Sequence, residues 1–314
     1  MSPPLRRTRG AGVTAALVVT AALVAAAALA LVAVPAGAGS RATRTRARAR
    51  VRPPVALPGS SGAPQQTPAG AMPPLYRIVG CASHGRAAYR HGPLRREVAI
   101  GFDDGPAPDT SAFVRMLERS HARATFFMIG DQTRAIYRGM LLRELADGDV
   151  LGDHTFTHPY LTSVRDVRAQ LSRTLAVIRS LTGYTPCVFR PPYGVYDQSI
   201  LDTARSLGLA TVMWNVDPSD YTLPGVAAIE QRVLAHVVPG SIIISHDGGG
   251  TRAETLAAYP GIIAALRARG YRIVTIPQLL GFRPVYAPCS KPCGRLGVAR
   301  PALPRNAIIE HPPP

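Results

Sequence analysis

The chain has 314 residues, of which 46% are hydrophobic, and this is enough for one large folded domain with tails. Its formal net charge is +17, but residues 1–96 contain fourteen arginines and no acidic residue. Residues 97–314 are therefore nearly balanced in charge, whereas a nucleic-acid-binding domain normally carries its basic excess on the folded face. The charge distribution argues against nucleic-acid binding.

The N-terminal leader contains an uncharged apolar run at residues 10–40, preceded by three arginines. About 20 apolar residues span a bilayer as a helix, and the small residues that end this run could be cut after Ala38. We therefore expect residues 1–39 to be a signal peptide or an uncleaved membrane anchor. Six arginines follow the run and would favour the opposite orientation. We nevertheless expect an extracellular or cell-envelope location, which fits the cysteines and the domain described below.

Residues 40–74 are rich in Arg, Pro, Gly and Ser, and this composition predicts a disordered linker that is stiffened by proline. The linker could reach through a cell wall and bind anionic wall polymers through its arginines, or it could be a solvated spacer without a partner. Residues 75–96 are interpreted as a lead-in segment, and residues 283–314 as a cysteine-containing tail.

Four cysteines suggest disulfides in an exported protein, with three possible pairings. The segment "CSKPC" could close on itself or tie the tail to an earlier cysteine. Zinc binding by these thiols is not expected, because the chain has no second close pair. The cysteines are Cys81, Cys187, Cys289 and Cys293.

From Glu97 onward, short apolar runs alternate with amphipathic helical patterns, such as "SAFVRMLERS" at residues 111–120. A later helical pattern starts with a capping box formed by Ser163 and Asp166. The alternation predicts a parallel sheet of seven strands, close to a closed (β/α) barrel, with an open doubly wound sheet as the alternative. The predicted strands are Val98–Phe102, Ala124–Ile129, Val150–Gly152, Cys187–Arg190, Ala210–Val216, Ser241–Ser245 and Arg272–Thr275.

Polar and ionisable side chains follow five of these strands. In either architecture, ligands bind at the carboxyl ends of parallel strands. Helix caps would explain isolated aspartates at such positions, but not three histidines, an arginine and adjacent carboxylates together. The residues are Asp103, Asp104, Asp153, His154, His158, Arg190, Tyr193, Asp217, Asp220, Tyr221, His246 and Asp247.

The segment "GDHTFTHPYL" contains two histidines with the spacing of a metal site. His158 precedes Pro159, and proline pushes the preceding residue away from helical backbone angles, so we expect a loop. Two imidazoles with one carboxylate from the pair Asp103–Asp104 would make a metal site with open positions, and the other carboxylate could act as a base. These ligands suit a divalent metal ion, with Zn²⁺ first and Co²⁺, Ni²⁺ or Fe²⁺ as alternatives.

The motifs "FDDGP", "HTFTH", "RPPYG", "VDPSDY" and "ISHDGGG", in this order, resemble those of the polysaccharide deacetylases of carbohydrate esterase family 4, the NodB-homology domain. The resemblance covers roughly residues 95–282, and we assign this domain to residues 97–282. It implies a distorted (β/α) barrel, usually of seven strands. Three residues depart from the common family pattern: Gly101, Tyr221 and Ser245. We expect these departures to affect substrate preference more than catalysis.

The resemblance also implies a role for each motif residue. One of these roles, that of orienting His246, falls to Asp220, with Asp217 as the alternative. The implied metal ligands are Asp104, His154 and His158. The implied catalytic residues are Asp103 as general base, Arg190 holding Asp103, Tyr193 as oxyanion-stabilising N–H donor, His246 as general acid and Asp220 orienting His246.

We therefore expect a monomeric metal-dependent hydrolase that removes N-acetyl groups from a cell-wall polysaccharide. Peptidoglycan is favoured because the leader directs the domain to the cell envelope, where residues 10–40 could also anchor it in the membrane. Deacetylation of chitin oligomers or of acetylated xylan is the alternative within the same chemistry. An inactive domain that only binds glycans is the alternative from a different class.

Overall fold

The computed structural model describes residues 75–84, 88–289 and 293–310. The predicted leader and linker, residues 1–39 and 40–74, lie outside these ranges and stay predictions. Among the helices of the described ranges, none combines the length and the apolar character needed to cross a membrane.

The described residues form twelve β-strands, seven α-helices and six short 3₁₀ turns. The strands are β1 (Leu75–Ala82), β2 (Ala88–Tyr89), β3 (Glu97–Gly105), β4 (Thr125–Met128), β5 (Val150–Asp153), β6 (Val188–Phe189), β7 (Ala210–Val212), β8 (Ile242–His246), β9 (Arg272–Val274), β10 (Arg283–Pro288), β11 (Val298–Ala299) and β12 (Ile308–Ile309). The helices are α1 (Thr110–Arg119), α2 (Arg138–Asp147), α3 (Val167–Thr182), α4 (Gln198–Ser206), α5 (Val226–His236), α6 (Ala253–Ala268) and α7 (Ile276–Leu279). The 3₁₀ turns are Ala135–Tyr137, Leu161–Ser163, Pro192–Gly194, Asp220–Thr222, Gly294–Leu296 and Arg300–Ala302.

The main sheet is a distorted (β/α) barrel, as predicted. Its strands pair in the order β2-β7-β6-β5-β4-β3-β8, with β9 also on β3, and every pair is parallel. All seven predicted strands are present, and the two-residue strand β2 is an addition. A bridge between Val216, beyond β7, and Ile243 in β8 joins the two sides of the curled sheet.

The barrel strands form because their apolar runs are buried by helices. Phe102 on β3 packs against Phe113 of α1, Phe126 of β4 and Tyr259 of α6, with ring centroids 4.8–5.4 Å apart. The predicted helix in "SAFVRMLERS" is confirmed as α1, which buries Phe113 and Met116.

The predicted capping box before α3 is wrong. Ser163 lies in a separate 3₁₀ turn, and α3 starts only at Val167. Asp166 is instead the N-cap residue, and its carboxylate accepts a hydrogen bond from the Ala169 N–H at 2.8 Å.

The predicted lead-in and tail segments pair with each other in a second sheet. Its strand order is β11-β1-β10-β12, and β1 runs antiparallel to β10. A disulfide between Cys81 and Cys187 ties β1 to the residue that precedes β6, and a second disulfide joins Cys289 to Cys293. The structure thus selects one of the three pairings that the sequence allows.

Candidate active site

The register of the barrel brings the predicted site residues to one edge of the sheet. Asp103 on β3 pairs with His246 on β8, and Asp153 on β5 pairs with Phe189 on β6. Because all of these strands are parallel, the residues that follow them gather at the carboxyl edge. There the structure shows a cavity of about 480 Å³, lined by Asp103, Asp104, His154, His158, Pro191, Tyr193, Trp214, Asp217, Tyr221, Ile244 and His246.

Three of these side chains have the geometry of a metal site. Oδ1 of Asp104 lies 3.4 Å from Nε2 of His154 and 3.2 Å from Nε2 of His158. All three candidate ligand atoms lie within 4.8 Å of one another. Two ligands bonded at about 2.0–2.2 Å to one tetrahedral ion lie roughly 3.4 Å apart. The three side chains therefore fit a divalent cation.

The electrostatics of Asp104 agree with that fit. Its Oδ1 atom is buried and accepts no hydrogen bond from any residue that the structure describes. Burial alone would raise the pKa of Asp104, but the imidazoles of His154 and His158 hold it well below its usual range. The carboxylate is thus in the charged form that binds a cation, with one oxygen left unsatisfied by the protein.

The two histidines lie in a loop, as the proline after His158 predicted. His158 has a φ of 55°, in the left-handed region, and its N–H donates to Oγ1 of Thr155 at 3.1 Å. The side-chain oxygen of Gln170 on α3 accepts from the Phe156 and Thr157 N–H groups. Sequence reasoning did not identify Gln170, which holds the loop from outside the motifs.

The main chain of Arg190 orients the first imidazole. Nδ1 of His154 lies 2.7 Å from the Arg190 carbonyl oxygen, which can only accept a hydrogen bond, so Nδ1 carries the proton. The lone pair of Nε2 is then available on the side that faces Asp104. Such a hydrogen bond behind a metal-binding histidine fixes both its tautomer and its ring orientation.

Asp103 and Arg190 form a buried ion pair, with NH1 of Arg190 donating to Oδ1 of Asp103 at 2.7 Å. The exposed fractions of the two side chains are only 2% and 0%, so water does not solvate either charge. The other guanidinium nitrogens donate to the carbonyls of Val212 and Met213. Gly101 leaves space for the guanidinium, because a Cβ there would lie 2.6 Å from NH1. The departure at Gly101 therefore accommodates Arg190.

His246 lies beside Asp220, with Nδ1 of its ring 2.8 Å from Oδ1 of the carboxylate. The main-chain N–H of His246 donates to Oδ2 of the same carboxylate at 2.9 Å. The hydroxyl of Thr255 also donates to Oδ2, a contact that the motifs do not indicate. Burial alone would lower the pKa of His246, but the hydrogen bond and charge of Asp220 outweigh it and raise the pKa to about 9. Asp217, the alternative partner, accepts instead from the Ser219 N–H.

Tyr193 lies at the rim with a left-handed backbone (φ 59°), and its N–H donates to no described residue. Its hydroxyl lies 3.2 Å from Nδ1 of His158, and its ring stacks on that of Tyr160, with centroids 3.9 Å apart and planes at 13°. Tyr160 was not singled out from the sequence. The ring of Tyr221 meets that of His246 edge-on at 5.6 Å.

The remaining strand-end residues have supporting positions. Asp153 is buried and accepts from the Thr155 N–H, while Asp247 is buried and accepts from the Thr110 hydroxyl. Trp214 is half-buried and lines the cavity.

Known proteins resemble this chain in sequence and in fold. A family model described as polysaccharide deacetylase matches residues 91–212. The chain is 35% identical over 192 residues to a peptidoglycan-N-acetylglucosamine deacetylase of Bacillus cereus, covering 59% of this chain and 89% of that protein. It is 38% identical over 208 residues to a chitooligosaccharide deacetylase of Sinorhizobium fredii, covering 62% and 96%. A crystal structure of a peptidoglycan N-acetylglucosamine deacetylase in complex with 4-naphthalen-1-yl-N-oxidanyl-benzamide matches at 32% identity with a TM-score of 0.60, covering 62% of this chain and 93% of that one.

Proposed function

Because the chain belongs to the polysaccharide deacetylase family, we propose that it hydrolyses N-acetyl groups on an extracellular polymer that contains N-acetylglucosamine, with peptidoglycan favoured. The observation that carries this proposal is the convergence of three groups in one cavity. They are the Asp103 carboxylate held by Arg190, the His246 imidazole held by Asp220, and the cluster of Asp104 with two histidines.

The division of labour between Asp103 and His246 follows from the chemistry of an acetamide. Asp103 takes a proton from the attacking water, since its paired Arg190 keeps the carboxylate in place. The leaving amine cannot depart as an anion, so it needs a proton. His246 donates that proton, and the neighbouring carboxylate of Asp220 favours its charged form.

The oxygen that becomes negative during attack needs hydrogen-bond donors. The free N–H of Tyr193 supplies one such donor, and donors of this kind are typically worth about 3 kcal/mol. Asp104, His154 and His158 would hold a divalent metal ion, with Zn²⁺ the first choice. The chemistry supplied by a bound ion is Lewis acidity, which polarises the acetamide carbonyl and makes water more acidic.

The choice of polymer rests on the relatives and on the predicted leader. One relative named above is a peptidoglycan-N-acetylglucosamine deacetylase, and the predicted leader would bring the domain to the cell envelope. The other relative acts on chitooligosaccharides by its name, so chitin oligomers are the second candidate. The proposal also includes that the protein is a monomer, and that it is either secreted or held at the membrane by residues 10–40.

Acetate release from peptidoglycan, chitin oligomers and acetylated xylan, measured side by side, tests the function and ranks the substrates. We expect release from peptidoglycan to be fastest. His154→Ala should abolish both acetate release and bound metal. His236→Ala, which removes an exposed histidine outside the cavity, should change neither and serves as the matched control. A purified protein that binds these glycans without releasing acetate would favour the inactive glycan-binding alternative.

A further inference from the structure

The two candidate metal-binding histidines have different partners behind them. Both rings direct Nε2 towards Asp104. Nδ1 of His154 faces the main-chain carbonyl of Arg190, whereas Nδ1 of His158 lies 3.2 Å from the phenol oxygen of Tyr193. A carbonyl always accepts, but a hydroxyl can donate or accept. The tautomer of His158 therefore depends on what the Tyr193 hydroxyl does with its own proton.

A second contact of the phenol indicates where its proton points. The Tyr193 hydroxyl also lies 3.4 Å from the main-chain oxygen of His158, which can only accept. If the O–H donates to that oxygen, its lone pair accepts from Nδ1–H of the imidazole. This arrangement gives the phenol proton, the Nδ1–H group and the main-chain oxygen of His158 a partner each, and it leaves Nε2 of His158 unprotonated, facing Asp104.

We propose that the side chain of Tyr193 is a positioning residue for the metal site, whose phenol holds His158 in its Nδ1–H tautomer while the ring of Tyr160 holds the phenol in place. This inference rests on the metal site of the proposed function. It gives Tyr193 a task separate from that of its main-chain N–H, and it gives Tyr160 a task that no motif indicates.

Tyr160 is needed because Tyr193 is otherwise weakly held. Tyr193 is 52% exposed and has a left-handed backbone, so little core packing restrains its ring. The ring of Tyr160 lies nearly parallel to it at 3.9 Å, while the ring of His158 meets it at a steep angle with centroids 4.7 Å apart. Since Tyr160 follows His158 by two residues, the same loop supplies both the ligand and the restraint.

The Tyr193→Phe variant isolates the hydroxyl, because phenylalanine keeps the ring and the stacking on Tyr160. Zn²⁺ affinity of the full chain, measured by competition with a chromogenic chelator, should weaken by about 10- to 100-fold, as for other groups that support metal ligands. Tyr271→Phe removes a hydroxyl from a half-buried ring outside the cavity and should leave the affinity unchanged. Affinity within about threefold of wild type in Tyr193→Phe would overturn the inference.

A second readout reports the hydrogen bond at Nδ1 directly. In Zn²⁺-loaded protein with ¹⁵N-labelled histidine, NMR should show a proton on Nδ1 of His158 that exchanges slowly with solvent, and Tyr193→Phe should speed that exchange. An unchanged exchange rate would count against the proposal. Tyr160→Phe should keep wild-type Zn²⁺ affinity, whereas Tyr160→Ala should weaken it; equal affinities in the two variants would remove Tyr160 from the arrangement.

These measurements fail independently of the proposed deacetylation. Wild-type protein that releases acetate, with a Tyr193→Phe variant that binds Zn²⁺ as tightly, refutes only the role of the phenol. If the wild-type protein releases no acetate, and Tyr193→Phe still weakens Zn²⁺ binding, only the enzymatic activity is refuted.

Discussion

Replacing Asp103 by asparagine should damage stability and catalysis together. Arg190 is fully buried and has Asp103 as its carboxylate partner at 2.7 Å. The variant keeps an oxygen that can accept from NH1, but it removes the negative charge that compensates the guanidinium. Two charges about 4 Å apart interact by about 4 kcal/mol at an effective dielectric constant of about 20. Leaving one member of a buried pair uncompensated typically costs about 3–5 kcal/mol.

We therefore expect Asp103→Asn to lower the free energy of unfolding by about 3 kcal/mol, measured by urea denaturation followed by circular dichroism. Acetate release should fall by at least about 100-fold, because a general base contributes about 10²–10⁴-fold. Metal content should stay near that of wild type, because the ligands are Asp104 and the two histidines. A stability loss below about 1 kcal/mol would refute the view that Asp103 compensates the buried guanidinium.

The double variant Asp103→Asn/Arg190→Met checks the origin of that loss. It removes both buried charges, so neither member of the pair is left as an uncompensated ion. The double variant should therefore be more stable than the sum of the two single changes predicts. Strict additivity of the three measurements would contradict the proposed coupling.

Asp220→Asn should move the alkaline limb of the pH–rate profile for acetate release to lower pH, because Asp220 raises the pKa of His246 to about 9. An unchanged limb would exclude His246 as the proton donor. Burial raises the pKa of Asp149 from 3.8 to about 7, so the folded protein holds a proton there that the unfolded chain has already released. The free energy of unfolding of the wild-type protein should therefore fall as pH rises from 3.8 through 7, and it should fall less in Asp149→Asn. Urea unfolding across that pH range measures both changes. Replacing Cys81 and Cys187 by alanine should lower the free energy of unfolding by about 2–5 kcal/mol, because this disulfide joins residues 106 positions apart; an equal urea midpoint in variant and wild type would contradict this.

The barrel could be predicted because its strands are continuous apolar runs, which mark strands that are buried on both faces. The second sheet could not, because β1 and β10 lie about 200 positions apart and their half-buried residues give no such run. Their pairing depends on contacts across the whole domain. The two-residue strand β2 is too short to produce any periodic signal.

The site shows the same division between local and long-range information. The grouping of Asp104, His154 and His158 at one edge could be predicted, because the two segments that carry them come at or after the ends of strands of a parallel sheet. Sequence order could not choose between Asp217 and Asp220, since both follow the same strand and the choice depends on how the turn between them folds. Tyr160 carried no signal, because stacking between rings 33 positions apart depends on the two loops that present them.

Arg190 holds two components of the site at once, the Asp103 carboxylate through its guanidinium and the His154 imidazole through its carbonyl oxygen. It directly follows β6, whose other end is fixed by the disulfide at Cys187. Any disturbance of this short strand would displace the base and the ligand in concert. Reduction of that disulfide, or a substitution beneath β6, should therefore abolish hydrolysis and metal retention over the same range of conditions, rather than one before the other.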